Sequence, residues 1–127
     1  MKSDITTRED VKFIIIKFYD KLLDDVLMFP FFEDIVENSA LENHFEIITD
    51  FWCDILFHTN TYKNNTMQKH IDKGAFISFK KEHFAIWLKY LNNTIDTFFE
   101  GANARNMKIR AQSIATVMQL KMNVYNQ

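Results

Sequence analysis

Cysteine, proline and glycine are almost missing from this chain, at one, one and two of 127 residues. The lone Cys53 excludes an internal disulfide and suits a reducing compartment. Two glycines and one proline leave few hairpin signals, and no alternating strand pattern, internal repeat or low-complexity tract takes their place. An excess of positive charge is missing too. The formal net charge is -2, with lysines scattered among acids, so no partnership with nucleic acid is expected. Nor is there an apolar run near the roughly 20 residues that cross a bilayer. The longest, Val26 to Phe32, is broken by Pro30, so no membrane partner is expected either. Met1 to Asp10 is polar and lacks the apolar core of a signal peptide, which makes a cytoplasmic location the expectation.

What is abundant is aromatic. Thirteen Phe, four Tyr and two Trp make up 15% of the chain, more than a small helical domain needs to fill itself. Aromatics wall flat organic cofactors well, yet Phe at helical spacing is more often plain core, and composition alone does not argue a pocket. The length fits one domain, residues 1–127, with a sizeable core.

Apolar periodicity predicts an all-α fold of four long helices and a short one. The first is expected to open with a capping box, Thr6 with Glu9, to run until Pro30, and to bury Val11, Ile15, Tyr19, Leu22 and Val26. The second is expected to open with Ser39 and Glu42, to carry Leu41, His44, Ile48, Trp52 and Ile55 on one side, and to end near His58. Thr59 to Phe79 reads as a polar connection with one helical turn around Met67 to Ile71. The third long helix turns Phe84, Trp87, Leu88, Leu91, Ile95 and Phe98 inward and stops at Gly101. The fourth, capped by Asn103, buries Met107, Ala111, Ile114, Met118 and Tyr125, with Val117 and Leu120 widening the stripe.

Polar rings interrupt these apolar faces. Tyr19 and His44 each fall on an inward position and need a hydrogen-bond partner there. Taken singly, each is more often a satisfied core residue than a ligand, and Trp87 alone is a large core side chain with an indole N–H to satisfy. His70 differs because it lies in the irregular connection, where a surface loop histidine is the ordinary alternative. His58 and His83 read as solvated. With no Cys-x-x-Cys and no His-x-x-x-His, zinc is not expected. Together, His70 and the three other rings suit one axial ligand and a set of donors opposite it, as a haem iron holding a small gas requires.

The ordered series Phe18-Tyr19-Asp20-Lys21, Phe29-Pro30-Phe31-Phe32, His44, Phe51-Trp52, Lys69-His70 and Glu82-His83-Phe84-Ala85-Ile86-Trp87-Leu88 resembles the group III truncated haemoglobins. So does the closing part, from Thr94-Ile95-Asp96 through Phe99-Glu100-Gly101 to Arg110-Ala111-Gln112-Ser113-Ile114-Ala115. The resemblance implies a shortened globin fold, a two-over-two helical sandwich around one haem b. It implies His70 as the proximal iron ligand, Tyr19, His44 and Trp87 on the distal side, and Phe32, Ile48, Trp52 and Tyr62 as further cofactor-binding residues. Asn64 stands where members often have glycine two residues after the tyrosine, and it too reaches left-handed backbone angles.

The activity so implied is binding of O2, NO or CO by a monomer. An alternative is an NO dioxygenase or peroxidase-like enzyme working with an external reductase. A third is a haem-free helical interaction module, against which the presence of His70 with all three distal donors argues.

Overall fold

A computed structural model describes residues 2–59 and 79–125, with side chains as far as Leu120. Among them are five α-helices and one 3-10 turn, and no strand. We label the helices α1 (Arg8–Leu23), α2 (Glu33–Glu37), α3 (Leu41–Phe57), α4 (Lys81–Phe98) and α5 (Ala102–Tyr125), with the 3-10 turn at Phe29–Phe31. Helix α1 packs against both α3 and α4, α4 packs against α5, and α3 also reaches α5. Two helix pairs are thus stacked across α1 and α4. No helix among the described residues is long and apolar enough to cross a membrane.

The start of α1 is a capping box shifted by one residue from the expected pair. The Thr7 hydroxyl accepts from Asp10 N–H at 3.1 Å, and the Asp10 carboxylate accepts from Thr7 N–H at 3.2 Å. The helix ends at Leu23, well before Pro30, because the chain turns over Asp25 and winds into the 3-10 turn that contains the proline. Val26, expected inside, is therefore 85% exposed.

Helix α3 has no side-chain cap. Ser39 sits at φ 55°, in the left-handed region, so the chain reverses there and its hydroxyl does not cap the helix. The deepest face of α3 is Phe45, Thr49, Trp52, Cys53 and Leu56, while Leu41, His44, Ile48 and Ile55 are half-buried beside it. The expected stripe was thus about one residue out of phase with the face that α1 covers.

Helices α4 and α5 begin and end close to the expected places, but their faces are narrower. Phe98 is 40% exposed, as is Val117, and Leu120 is 62% exposed, because neighbouring helices cover only the stripe of Ala104, Met107, Ala111, Ala115 and Met118 on α5. The cap of α5 comes from the amino-terminal strap. The Asp4 carboxylate accepts from Asn103 N–H at 3.0 Å and Ala104 N–H at 2.9 Å, while Asn103 donates its side-chain amide to the Ile5 carbonyl at 2.7 Å. Gly101 lies at φ +145°, and a Cβ there would fall inside the Asp4 carboxyl group, so glycine is required twice over. Ile5 then plugs the core completely.

A ladder of ion pairs joins α1 to α3. Arg8 reaches Glu46 at 2.6 Å and also pairs with Asp50, while Lys12 bridges Glu42 at 2.8 Å and Glu46 at 2.5 Å. The three carboxylates recur every four residues and share one edge of the helix. Cys53, one turn beyond Thr49, is buried core, and burial pushes its thiol above the usual range.

Candidate functional site

The middle of α1 brings Phe18 and Tyr19 inward on adjacent positions, and the first turns of α3 bring His44 and Phe45 opposite them. Tyr19 Oη lies 2.6 Å from His44 Nε2. This pair is the polar centre of the site. Phe32, on the corner after the 3-10 turn, meets the Tyr19 ring edge-on at 5.4 Å, and Phe45 meets it at 5.3 Å. The hydroxyl is thereby boxed by apolar rings, and Tyr19 as a whole is only 5% exposed.

Burial holds the Tyr19 phenol well above its ordinary titration range, so the group keeps its proton. With a neutral imidazole protonated at Nδ1, the Tyr19 O–H donates to His44 Nε2. A hydroxyl in such surroundings must be paired, since an unmet buried donor costs about 1–3 kcal/mol. The expectation that both rings need an inward partner is met by each satisfying the other.

Trp87 joins the same wall from α4. Its indole packs edge-on against Phe18 at 5.9 Å, and Phe18 in turn packs against Tyr19 at 5.5 Å. The other side of Trp87 lines a small apolar cleft between α4 and α5, together with Phe84, Ile114, Ala115 and Met118. Ile48 and Trp52 follow His44 at successive four-residue steps along α3, Ile48 half-buried and Trp52 buried. His70 and Tyr62 lie outside the described residues. Among the described residues no cluster of three metal-ligating side chains occurs.

Several contributors went unread in the sequence. Phe18 and Phe45 look like generic core, and only their neighbours Tyr19 and His44 mark them. His83, expected to be solvated, is half-buried: its Nδ1 accepts from the Lys80 backbone N–H at 2.8 Å, and its ring rests on Phe31 at 5.0 Å and Phe79 at 5.7 Å. The signal for that role was local, since a histidine three residues past a helix start can close a cap.

No protein-family model matches this chain. The chain is similar to the "Group 3 truncated hemoglobin ctb" of Campylobacter jejuni, at 27% identity over 121 residues that cover 94% of this chain and 93% of the relative. Its fold is similar to the crystal structure of the group III truncated hemoglobin from Campylobacter jejuni, with a TM-score of 0.81, 24% identity, and coverage of 96% of this chain and 95% of that one. The fold is that of a truncated globin, and the resemblance read from the ordered residues is borne out.

Proposed function

We propose that this chain is a haem-binding truncated haemoglobin of the group III type, and that it takes up diatomic gases. One observation carries the reading: a protonated tyrosine hydroxyl, paired with an imidazole at 2.6 Å, is buried inside a cage of aromatic rings. Polar donors held in dry, apolar surroundings are suited to stabilising partial negative charge on a small ligand.

The residues fit the cofactor by their chemistry. His44, Ile48 and the inner side of Trp87 are half-buried next to a complete apolar core, as expected of side chains that face a flat group. Phe32, Trp52, Tyr62 and Ile48 would hold the haem b, and the His70 imidazole would ligate its iron. Haem supplies an iron whose open face takes O2, NO or CO. The Tyr19 hydroxyl and the Trp87 indole N–H would be the donors to the gas. His44 either holds the Tyr19 hydroxyl in the pocket and frees it by swinging outward, or stays inside and would compete with the gas for the iron. Use of the bound gas in NO or peroxide chemistry would draw electrons from an external reductase; a cytoplasmic monomer suits either role.

The test is spectroscopic. Purified protein given haem should develop a sharp Soret band that moves on reduction with dithionite and again under carbon monoxide. In His70→Ala the axial bond should be lost, with a five-coordinate spectrum restored by added imidazole. A wild-type protein that leaves haem in the unbound fraction would overturn the reading. An unchanged spectrum in His70→Ala would reassign the axial ligand.

A further inference from the structure

The corner between α1 and α2 carries Phe32 to the Tyr19 ring, yet little apolar burial holds its outer end. Met28 and Phe32 anchor the corner in the core, but Val26 is 85% exposed and Leu27 54%, so apolar contact does little to fix the end between α1 and Met28. Its order comes from Asp25. One carboxylate oxygen accepts from Leu27 N–H at 2.8 Å and Met28 N–H at 3.2 Å, and the Asp25 carbonyl accepts from Met28 N–H at 3.1 Å and Phe29 N–H at 2.9 Å. The series continues as Phe31 N–H bonds the Met28 carbonyl and Phe32 N–H bonds the Phe29 carbonyl. From Asp25 to Phe32 the backbone is thus wound as one unit.

The second Asp25 oxygen is left for a partner from elsewhere, and Tyr90 supplies it. The Tyr90 hydroxyl donates to Asp25 Oδ2 across 65 residues of sequence. Tyr90 lies on α4 three residues after Trp87, hence on the adjoining strip of the same helix. A hydrogen bond is directional where apolar contact is not, so this one adds a fixed direction to the Phe31–His83 ring contact that also joins the corner to α4.

We propose that Tyr90 and Asp25 form a latch that registers the Phe32 wall against the Trp87 wall and thereby sets how firmly the pocket's donors grip a bound gas. Both are positioning residues. The gas-holding half rests on the haem reading above; the registration of the two walls does not. Loss of the hydroxyl lets the Asp25–Phe32 unit drift, the Tyr19 ring follows Phe32 through their edge contact, and the spacing between the Tyr19 hydroxyl and the Trp87 indole N–H changes.

The experiment compares wild type with Tyr90→Phe, which keeps the ring, and with Asp25→Ala, which alters nothing on α4. The readout is the Trp87 indole N–H resonance, assigned with Trp52→Phe and recorded both without added haem and in the carbon monoxide form of the ferrous holoprotein. Both latch variants should displace this resonance in the same direction. In the holoprotein they should also shift the C–O stretching frequency and speed oxygen release roughly tenfold, as expected when one donor is weakened. Asp25→Asn, which retains an acceptor oxygen and the side-chain shape, should give a smaller displacement than Asp25→Ala. An indole resonance unmoved in both latch variants overturns the proposal, even where melting temperatures fall, because it would leave only a structural bond. A displaced indole with unchanged C–O stretch and oxygen release overturns the gas-holding half. Failure of wild type to bind haem instead sinks the haem reading, while the haem-free resonance still decides whether the walls are latched.

Discussion

At the scale of single residues, the site turns on a buried hydroxyl and a half-buried imidazole that bond each other. Removing either one takes a hydrogen bond from the other. Tyr19→Phe leaves His44 Nε2 without its 2.6 Å neighbour, and His44→Leu leaves the Tyr19 hydroxyl among Phe32, Phe45 and Phe18. Each single change should lower unfolding free energy by about 1–3 kcal/mol in the haem-free protein, measured by urea denaturation. The double variant, which removes both polar groups, should be less destabilised than the sum, and a strictly additive cycle would show that the pair does not interact. In the holoprotein the two singles should diverge. If Tyr19 donates to the gas as proposed, Tyr19→Phe should release oxygen faster by roughly ten- to a hundredfold, whereas His44→Leu, which would free the hydroxyl, should release it no faster than wild type.

At the scale of elements, the amino-terminal strap and α5 make one unit, with Asp4 in the role a side-chain cap would normally fill. Burial alone would raise the Asp4 carboxyl, but the N–H groups of Asn103, Ala104 and Ile5 outweigh it and hold the group below its ordinary value. A depressed carboxylate contributes stability above its unfolded titration range and loses it as pH falls through the folded value. Asp4→Ala should therefore cost about 1 kcal/mol near neutral pH, visible as a melting temperature a few degrees lower, and the gap from wild type should close in acid. A gap that stays constant with pH would show that the carboxylate charge is not what caps the helix.

The same element shows where sequence reading stops. Helix α5 was legible from the spacing of Met107, Ala111 and Met118, but its cap lies almost a hundred residues away, and no local pattern points to a contact between Asp4 and Asn103. Likewise Tyr19, His44 and Trp87 stood out as polar-tipped rings on apolar faces, while the width of those faces did not. Val26, Val117 and Leu120 fit the helical repeat yet are exposed, Val26 because α1 has already ended at Leu23 and the other two because the described helices cover only a narrow stripe of α5. Asp25 and Tyr90 carry no pattern at all, since an aspartate beyond a helix end and a tyrosine on a half-buried strip are both ordinary.

At the scale of the whole molecule, the question is what supplies stability around a pocket whose walls are only half-covered. The ladder of Arg8, Lys12, Glu42, Glu46 and Asp50 is partly exposed, so its pairs contribute little to stability and are screened by salt. Hydrogen bonds from Lys12 and then Arg8 hold Glu46 below its ordinary value, and those to Glu42 and Glu46 hold Lys12 above its own, so the α1–α3 contact weakens in acid as Glu46 is protonated and again in strong base as Lys12 loses its proton. That leaves apolar burial as the main term, and here Leu41, His44, Ile48, Ile55, Trp87, Leu88 and Ile114 are half-buried around the completed core. Covering such a surface with a flat apolar group removes it from water, and a ligand that binds the folded chain alone stabilises it by about 2.7 kcal/mol at a hundredfold excess over its dissociation constant. Haem should accordingly raise the melting temperature by on the order of 10 °C, with the rise growing as free haem is increased. High salt should move the midpoint by far less than that. Iron-free protoporphyrin separates the two contributions of the cofactor: it should recover the part due to apolar burial and fall short of haem by the part due to the axial bond. In His70→Ala, haem and protoporphyrin should then stabilise equally. Equal stabilisation by both in wild type would show that no side chain of this protein holds the iron.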